Sequence, residues 1–457
     1  MNFQQFGIDR RQGYERRLLI AFWLYFALLI FEGALRKWVL PELSSLFLVT
    51  RDPIALFAIL YGIKYKLLGN GFCRFFIAIS ITTFFTTLLF GHGNIFVALY
   101  GFRVYGINAP AIFVWASILK KEDLRRLAMA TMWLLVMMTA IIILQYGSPQ
   151  ESWINMGIGG NKEGGGFYGV GEYFRPSGTF SFASGLAAFE FLACACLLCF
   201  ISETKKLCIT YKRLGVFITV YLVSIFFCLS RTVATQTALL TVVFLIASLT
   251  DRKRFLRALL AVIAIFVIMY VLYMESGAFR LAVCNLFLRF DEASDAEGEF
   301  IKGSVGNRYI GSFVRAFVNP QNFTGQAIPE FGFGMGAGSK VGSILLHMDT
   351  QNSFSLAEEE WSLVVDENGY LLGGMILIIG RLLFPLTLLW RSLINKRCHD
   401  NSFCLFFTVT FFAYSMTMQL SIPTHLGFYT IIGAVALASV TQCCTKKGKR
   451  KWLQSQQ

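Results

Sequence analysis

A chain of 457 residues that is 56% hydrophobic, 16% aromatic and only 15% charged, with a mean hydropathy of +0.59, is excluded from the soluble globular class, whose members carry roughly a quarter charged residues. The net charge of +14 would suit a nucleic-acid partner if the basic residues were gathered in one patch. They are instead dispersed over short connectors between apolar runs, and nucleic acid is excluded as a partner.

Apolar runs of roughly 20 residues recur along the chain, each long enough to cross a hydrocarbon core of about 30 Å as a helix. Lipid offers no partner to exposed backbone groups, so helices are expected and open strands are not. Spans are predicted at 18–35, 46–63, 73–90, 95–118, 127–146, 183–201, 214–229, 232–249, 258–276, 362–390, 403–420 and 424–441. The expected fold class is all-α: one integral membrane domain over 1–457, a polytopic transmembrane helical bundle of about twelve spans.

The first apolar run follows Arg10, Arg11, Arg16 and Arg17 as a secretion signal would, but it lacks a small-residue cleavage site and reads as a retained helix. Glu32 and Arg36 lie four apart on it and are expected to pair. Lys64/Lys66/Arg74, Lys120/Lys121/Arg125/Arg126, Lys205/Lys206/Lys212/Arg213, Arg252/Lys253/Arg254/Arg257 and Arg391/Lys396/Arg397 all fall on the same side as the N-terminus. The positive-inside tendency therefore places both termini in the cytoplasm. The basic tail Lys446–Lys451 then reads as a stop signal near anionic lipid. The same alternation leaves two long connectors outside: 147–182, rich in glycine, and 277–361, between spans nine and ten. Long loops of this kind are usually functional. Cys194, Cys196, Cys199 and Cys228 lie within spans, and Cys284 alone falls near the large loop, so neither a disulfide framework nor a zinc site is expected.

The positive-inside tendency does not account for a few outward arginines. Arg175 opens the stretch Arg175-Pro-Ser-Gly-Thr-Phe-Ser-Phe-Ala-Ser-Gly185 leading into the sixth span, and Arg231 lies in the turn between spans seven and eight. Arg308, Ser312 and Arg315 share one face of an expected amphipathic helix over 305–318, ended by Asn319-Pro320. Four guanidinium groups at one water–lipid boundary suit a pyrophosphate, whose oxygens the planar fork binds in pairs. The competing reading is snorkelling to lipid headgroups. Arg103 and Glu190 lie within spans, where a central charge costs about 2.5–3.5 kcal/mol on insertion scales, so each pairs or lines a wet cavity. Arg381 is expected to snorkel.

The large loop carries Gly332, Gly334, Gly336 and Gly338, which fail as a nucleotide loop because no βαβ unit and no Gly-Lys-Ser/Thr surround them. The run from Asp291 to Glu299 lacks the calcium-loop spacing. Asp-x-Asp is absent, and neither metal nor cofactor is expected. Candidate bases are Glu358, Glu359, Glu360 and His347. Glu360 beside Trp361 is preferred, since a carboxylate held among like charges or partly desolvated gains basicity and could take a proton from a sugar hydroxyl.

In order and character these features resemble the O-antigen ligase/polymerase superfamily of bacterial membrane proteins. The resemblance rests on 175–180, on Ser230-Arg231, on Asn307-Arg308-Tyr309 with the glycine run after it, and on Glu360-Trp361 leading to Glu367-Asn368-Gly369-Tyr-Leu-Leu-Gly373. Glu32-Gly-Ala-Leu-Arg36-Lys-Trp-Val-Leu-Pro41 and Arg51-Asp52-Pro53 resemble a subset of polymerase-like members. The resemblance implies glycosyl transfer from an undecaprenyl-pyrophosphate-linked oligosaccharide on the periplasmic face of a bacterial inner membrane. Arg175, Arg231 and Arg308 then match family arginines that engage the pyrophosphate. Where ligases carry a His-Asn-type pair, this chain has Glu358-Glu359, which favours a polymerase over a ligase.

The expectation is a metal-independent polysaccharide-assembly glycosyltransferase working in membrane lipid, with other assembly proteins as candidate partners. Glu360, Arg231 and Arg308 are its expected catalytic residues, and Arg175, Arg315, Arg103 and Glu190 bind substrate or shape the cavity. The alternative is a non-enzymatic transporter of polysaccharide or lipid-linked glycan.

Overall fold

The computed structural model describes residues 3–162, 168–171, 173–204, 207, 209–249, 252–297, 311–318, 336–338, 342, 360–394 and 401–454. Helices α1 (Phe3–Ala34), α2 (Asp52–Lys64), α3 (Gly71–Leu89), α4 (Ile95–Phe102), α5 (Ala109–Ile118) and α6 (Lys121–Tyr146) come first. A short antiparallel hairpin, β1 (Tyr168–Val170) and β2 (Tyr173–Phe174), precedes α7 (Ala183–Ser202), α8 (Tyr211–Phe227), α9 (Arg231–Ser248), α10 (Arg252–Glu275) and α11 (Gly277–Glu297). The remaining elements are α12 (Ser312–Val318), α13 (Glu360–Met375), α14 (Phe384–Ile394), α15 (Ser402–Thr417) and α16 (Pro423–Gln454).

Ten helices among the described residues are long and apolar enough to cross a membrane. The segments 214–229 and 403–420, also expected as spans, fold as the shorter helices α8, with 17 residues, and α15, with 16, and are not among these ten. The fold is thus an all-α polytopic bundle.

Burial ranks the helices. The apolar window of α7 is 94% buried, whereas that of Ala258–Glu275 in α10 is 6% buried. The sequence explains the contrast. Helix α7 is built on Ala183, Gly185, Ala187, Ala188, Ala193 and Ala195, small residues that let neighbouring backbones approach. It touches α6, α8, α9, α10, α15 and α16. Helix α10 instead exposes Leu260, Phe266 and Val267, apolar around its whole circumference as a lipid-facing helix must be.

Three departures from regular α-helix matter for the site. π-helical turns at Leu35–Val39, Arg103–Asn108 and Ile376–Leu383 each carry buried basic side chains: Arg36 and Lys37, Arg103, and Arg381. Such turns concentrate at functional positions. Helix α13 is broken at Gly369, whose backbone (φ 75°, ψ 176°) only glycine adopts readily, directly after the buried run Asp366, Glu367 and Asn368. The stretch 277–297, expected as the start of a loop, is a 21-residue helix packed on α8 and α10, with Phe279 edge-on to Phe226 and Asn285 donating to the Tyr146 hydroxyl at 2.8 Å.

Candidate functional site

The β-hairpin lies at one end of the bundle, against the turn that joins α8 to α9. A Cβ on Gly169 of β1 would meet Leu229 of that turn at 3.1 Å. Leu229 itself adopts φ 48°, a strained value for a branched side chain. Ser230 caps α9, its hydroxyl accepting from the Val233 amide at 3.4 Å, so Arg231 stands in the first turn of the helix.

Arg289 of α11 reaches the same place, its Nη1 donating to the Gly169 carbonyl at 2.6 Å. This guanidinium lies outside the candidate spans, and its pKa is lowered, chiefly by burial and then by the positive charge of Arg231. Arg175 leaves β2 beside the same turn, within electrostatic reach of Cys228. All three arginines are half-buried. Like charges held together out of bulk water lower the energy of an arriving anion, and forked donors suit one with several oxygens.

The structure thus places Arg175 and Arg231 on elements that flank the same turn, and adds Arg289, which belongs to a stretch the sequence reading assigns to a loop. Arg289 was recoverable in principle, because 277–290 has the apolar spacing of a helix. Arg308, with Glu358, Glu359, His347, Gly332 and Gly334, lies outside the described residues. Arg315 belongs to α12, which packs against α13.

The other expected site residues have different company. Arg103 forms an ion pair with Asp52 of α2 at 3.0 Å and stacks over the Tyr100 ring at 4.6 Å. The Asn108 amide donates to the same Asp52 carboxylate at 3.1 Å. Glu190 is fully buried in α7 and accepts from the Ser224 hydroxyl of α8 at 2.5 Å. Each therefore joins a different pair of elements.

The expected pairing of Glu32 with Arg36 is corrected. Glu32 pairs with Arg51 at 2.7 Å, and Arg36 donates to the Ser44 carbonyl at 2.8 Å and to Ser181 Oγ at 2.9 Å. The π-turn that begins at Leu35 alters the register a regular helix would give, and Arg51 arrives from the next connection.

Arg381 does not snorkel. It is 1% exposed and paired with Glu360, and it donates to the Ser415 and Met418 carbonyls, each at 2.6 Å. Glu360 also accepts from the Leu420 amide at 3.3 Å. The Arg381 and Leu420 bonds fall on one carboxylate oxygen of Glu360, Oε1.

Beside this pair lies a small cavity lined by Tyr105, Glu360, Glu367, Ser421 and the backbone of 337–338. The glycine run of the large loop reaches into the bundle here. The Gly336 amide donates to the Glu367 carbonyl at 2.7 Å, Gly336 and Gly338 have φ of 111° and 75°, and Gly101 of α4 faces the Ala337 carbonyl. No side chain fits between them. Gly101→Ala is expected to displace 336–338 and speed hydrogen exchange of the Gly336 amide by an order of magnitude or more, as loss of one buried hydrogen bond predicts. Unchanged exchange would show that the tip accommodates the methyl group.

Comparison with protein-family models, with curated proteins and with solved structures returns no match for this chain.

Proposed function

We propose that the protein is a membrane glycosyltransferase that polymerises or ligates an undecaprenyl-pyrophosphate-linked glycan on the outer face of a bacterial inner membrane. The observation that supports this reading is the placement of Arg175, Arg231 and Arg289 around the α8–α9 turn, where the hairpin packs on Leu229 and Arg289 Nη1 donates to the Gly169 carbonyl at 2.6 Å. Transfer of a glycosyl group from a lipid pyrophosphate builds negative charge on the departing phosphate. Preorganised donors aimed at that charge are usually the largest catalytic contribution. Arg175, Arg231 and Arg289 bind and stabilise the leaving group, and the sugar chain lies on the water side of the hairpin. A position at the bundle's rim suits a substrate whose polyprenyl tail stays in lipid while its pyrophosphate stands at the boundary.

The break in α13 at Gly369 favours a second reading, because interrupted membrane helices with buried polar residues line the substrate paths of carriers. One experiment separates the two. In cells carrying Arg175→Ala, a glycosyltransferase defect leaves lipid-linked repeat units on the outer face while long polymer disappears. A transport defect leaves them on the cytoplasmic face. Normal polymer in Arg175→Ala cells would remove the arginine cluster from the function altogether.

A further inference from the structure

The first helix ends in Glu32-Gly-Ala-Leu-Arg36-Lys37-Trp38, a motif that the proposed chemistry does not use. It docks on the stretch that follows Arg175. Lys37 is 1% exposed, and its ammonium donates to Ser177 Oγ at 3.0 Å and to the Gly178 carbonyl at 2.8 Å. Arg36 donates to Ser181 Oγ, and Thr179 Oγ1 donates back to the Ile30 carbonyl at 2.6 Å.

Gly33 makes the approach possible. A Cβ there would overlap the Thr179 carbonyl and lie 2.5 Å from the Ser181 amide. From the other side, Gln145 at the end of α6 accepts from the Ser177 and Gly178 amides at 3.1 and 2.8 Å, and donates to the Gly178 carbonyl at 3.2 Å. Gly178 has φ 59°. Three of the four polar backbone atoms of this sharply turned pair are thereby held by two side chains from two helices, and the fourth, the Ser177 carbonyl, accepts from the Phe180 amide at 3.1 Å.

We infer that Lys37, with Arg36 and Gln145, is a positioning residue for Arg175. The clamp holds Ser177 and Gly178, and Pro176 makes the single residue between the clamp and Arg175 stiff in φ. A buried ammonium is costly in a membrane protein unless its hydrogen bonds are strong. Here they are spent on one loop instead of on a carboxylate. Arg36 and Lys37 both face inward because the π-turn Leu35–Val39 widens the helix where the loop meets it. The affinity part of the inference rests on the pyrophosphate reading, and the docking part does not.

The test uses the full chain in lipid nanodiscs, with hydrogen exchange of the 177–181 amides and the Kd for undecaprenyl pyrophosphate as readouts. Lys37→Met is expected to speed exchange at 177–181 by about tenfold or more and to weaken binding by a similar factor. The 192–198 amides of α7 should be unaffected. Lys37→Met combined with Arg175→Ala should bind no more weakly than Arg175→Ala alone, since the clamp acts through that arginine. Gly33→Ala, which pushes the same loop away by contact alone, should reproduce both effects and covers the case in which Lys37→Met does not fold. Unchanged exchange in the variants overturns the docking inference. Additive losses in the combined variant overturn the positioning of Arg175. If the wild type does not bind undecaprenyl pyrophosphate, the proposed function falls and the exchange measurement alone decides the clamp.

Discussion

Arg381→Ala is expected to lower the stability of the folded chain by about 3–5 kcal/mol, the loss typical when one member of a buried ion pair is removed. Three separate deficits combine. Glu360 is left as a buried carboxylate without its guanidinium. The Ser415 and Met418 carbonyls at the end of α15 lose the donors that satisfy them. The Leu420 amide keeps an acceptor no longer held in place by Arg381. Arg381→Lys should recover only part of the loss, since one ammonium does not reproduce a fork that reaches three oxygens. Thermal unfolding of purified variants in one detergent checks the order wild type, Arg381→Lys, Arg381→Ala. Equal midpoints would mean that water replaces the guanidinium and that this region is wetter than the structure implies. Glu360→Gln supplies the matching functional test. A structural Glu360 gives a less stable protein with near-normal turnover per folded molecule. A general base instead gives a fall of about 10²-fold or more with stability retained.

The second large effect is expected at the hairpin end. Arg231→Ala and Arg289→Ala should each reduce consumption of a lipid-linked repeat unit by roughly 10²–10³-fold, the range seen when one donor to a developing oxyanion is lost. Arg231→Lys should restore little, because a point charge does not present two parallel donors. The combined Arg231→Ala/Arg289→Ala variant should lose less than the product of the single losses, since both groups address one anion. The rate is read in isolated membranes supplied with the repeat unit. Full activity in both single variants would leave the arginine cluster as a lipid-headgroup contact.

Much of the bundle is legible in the sequence because the hydrocarbon thickness fixes the length of each apolar run. The polar turn Ser230-Arg231 is equally legible, since a serine cap followed by an arginine interrupts two such runs. Choice of partner among buried charges is not. Spacing along α1 favours Arg36 for Glu32, yet Arg51 wins because a π-turn and the following connection bring it closer. Arg381 departs from its expected snorkelling for a related reason: snorkelling presumes that the side chain faces lipid, and the facing element, α15, starts about twenty residues further along the chain. Arg289 escaped because a polar, mixed-charge stretch reads as loop when its apolar face meets protein instead of lipid.

Arg51 has one further consequence, for the order of synthesis. Its Nε meets Glu32 within the first connection, but its Nη2 donates at 2.7 Å to the Pro423 carbonyl, 372 residues later in the chain. Tyr100 likewise donates at 3.0 Å to the Ser421 carbonyl, 321 residues on. At the 5–20 residues per second of ordinary translation, the N-terminal helices wait roughly 20–70 s in the bilayer before these acceptors exist. During that interval the first pair of helices has its own contacts, Glu32 with Arg51, Arg17 with Tyr61 and Tyr14 stacked on Tyr65, while the outer acceptors of Arg51 and Tyr100 are still missing, a half-finished joint that the last helix closes. Chains ending before residue 421 should therefore be the ones that membrane quality control removes.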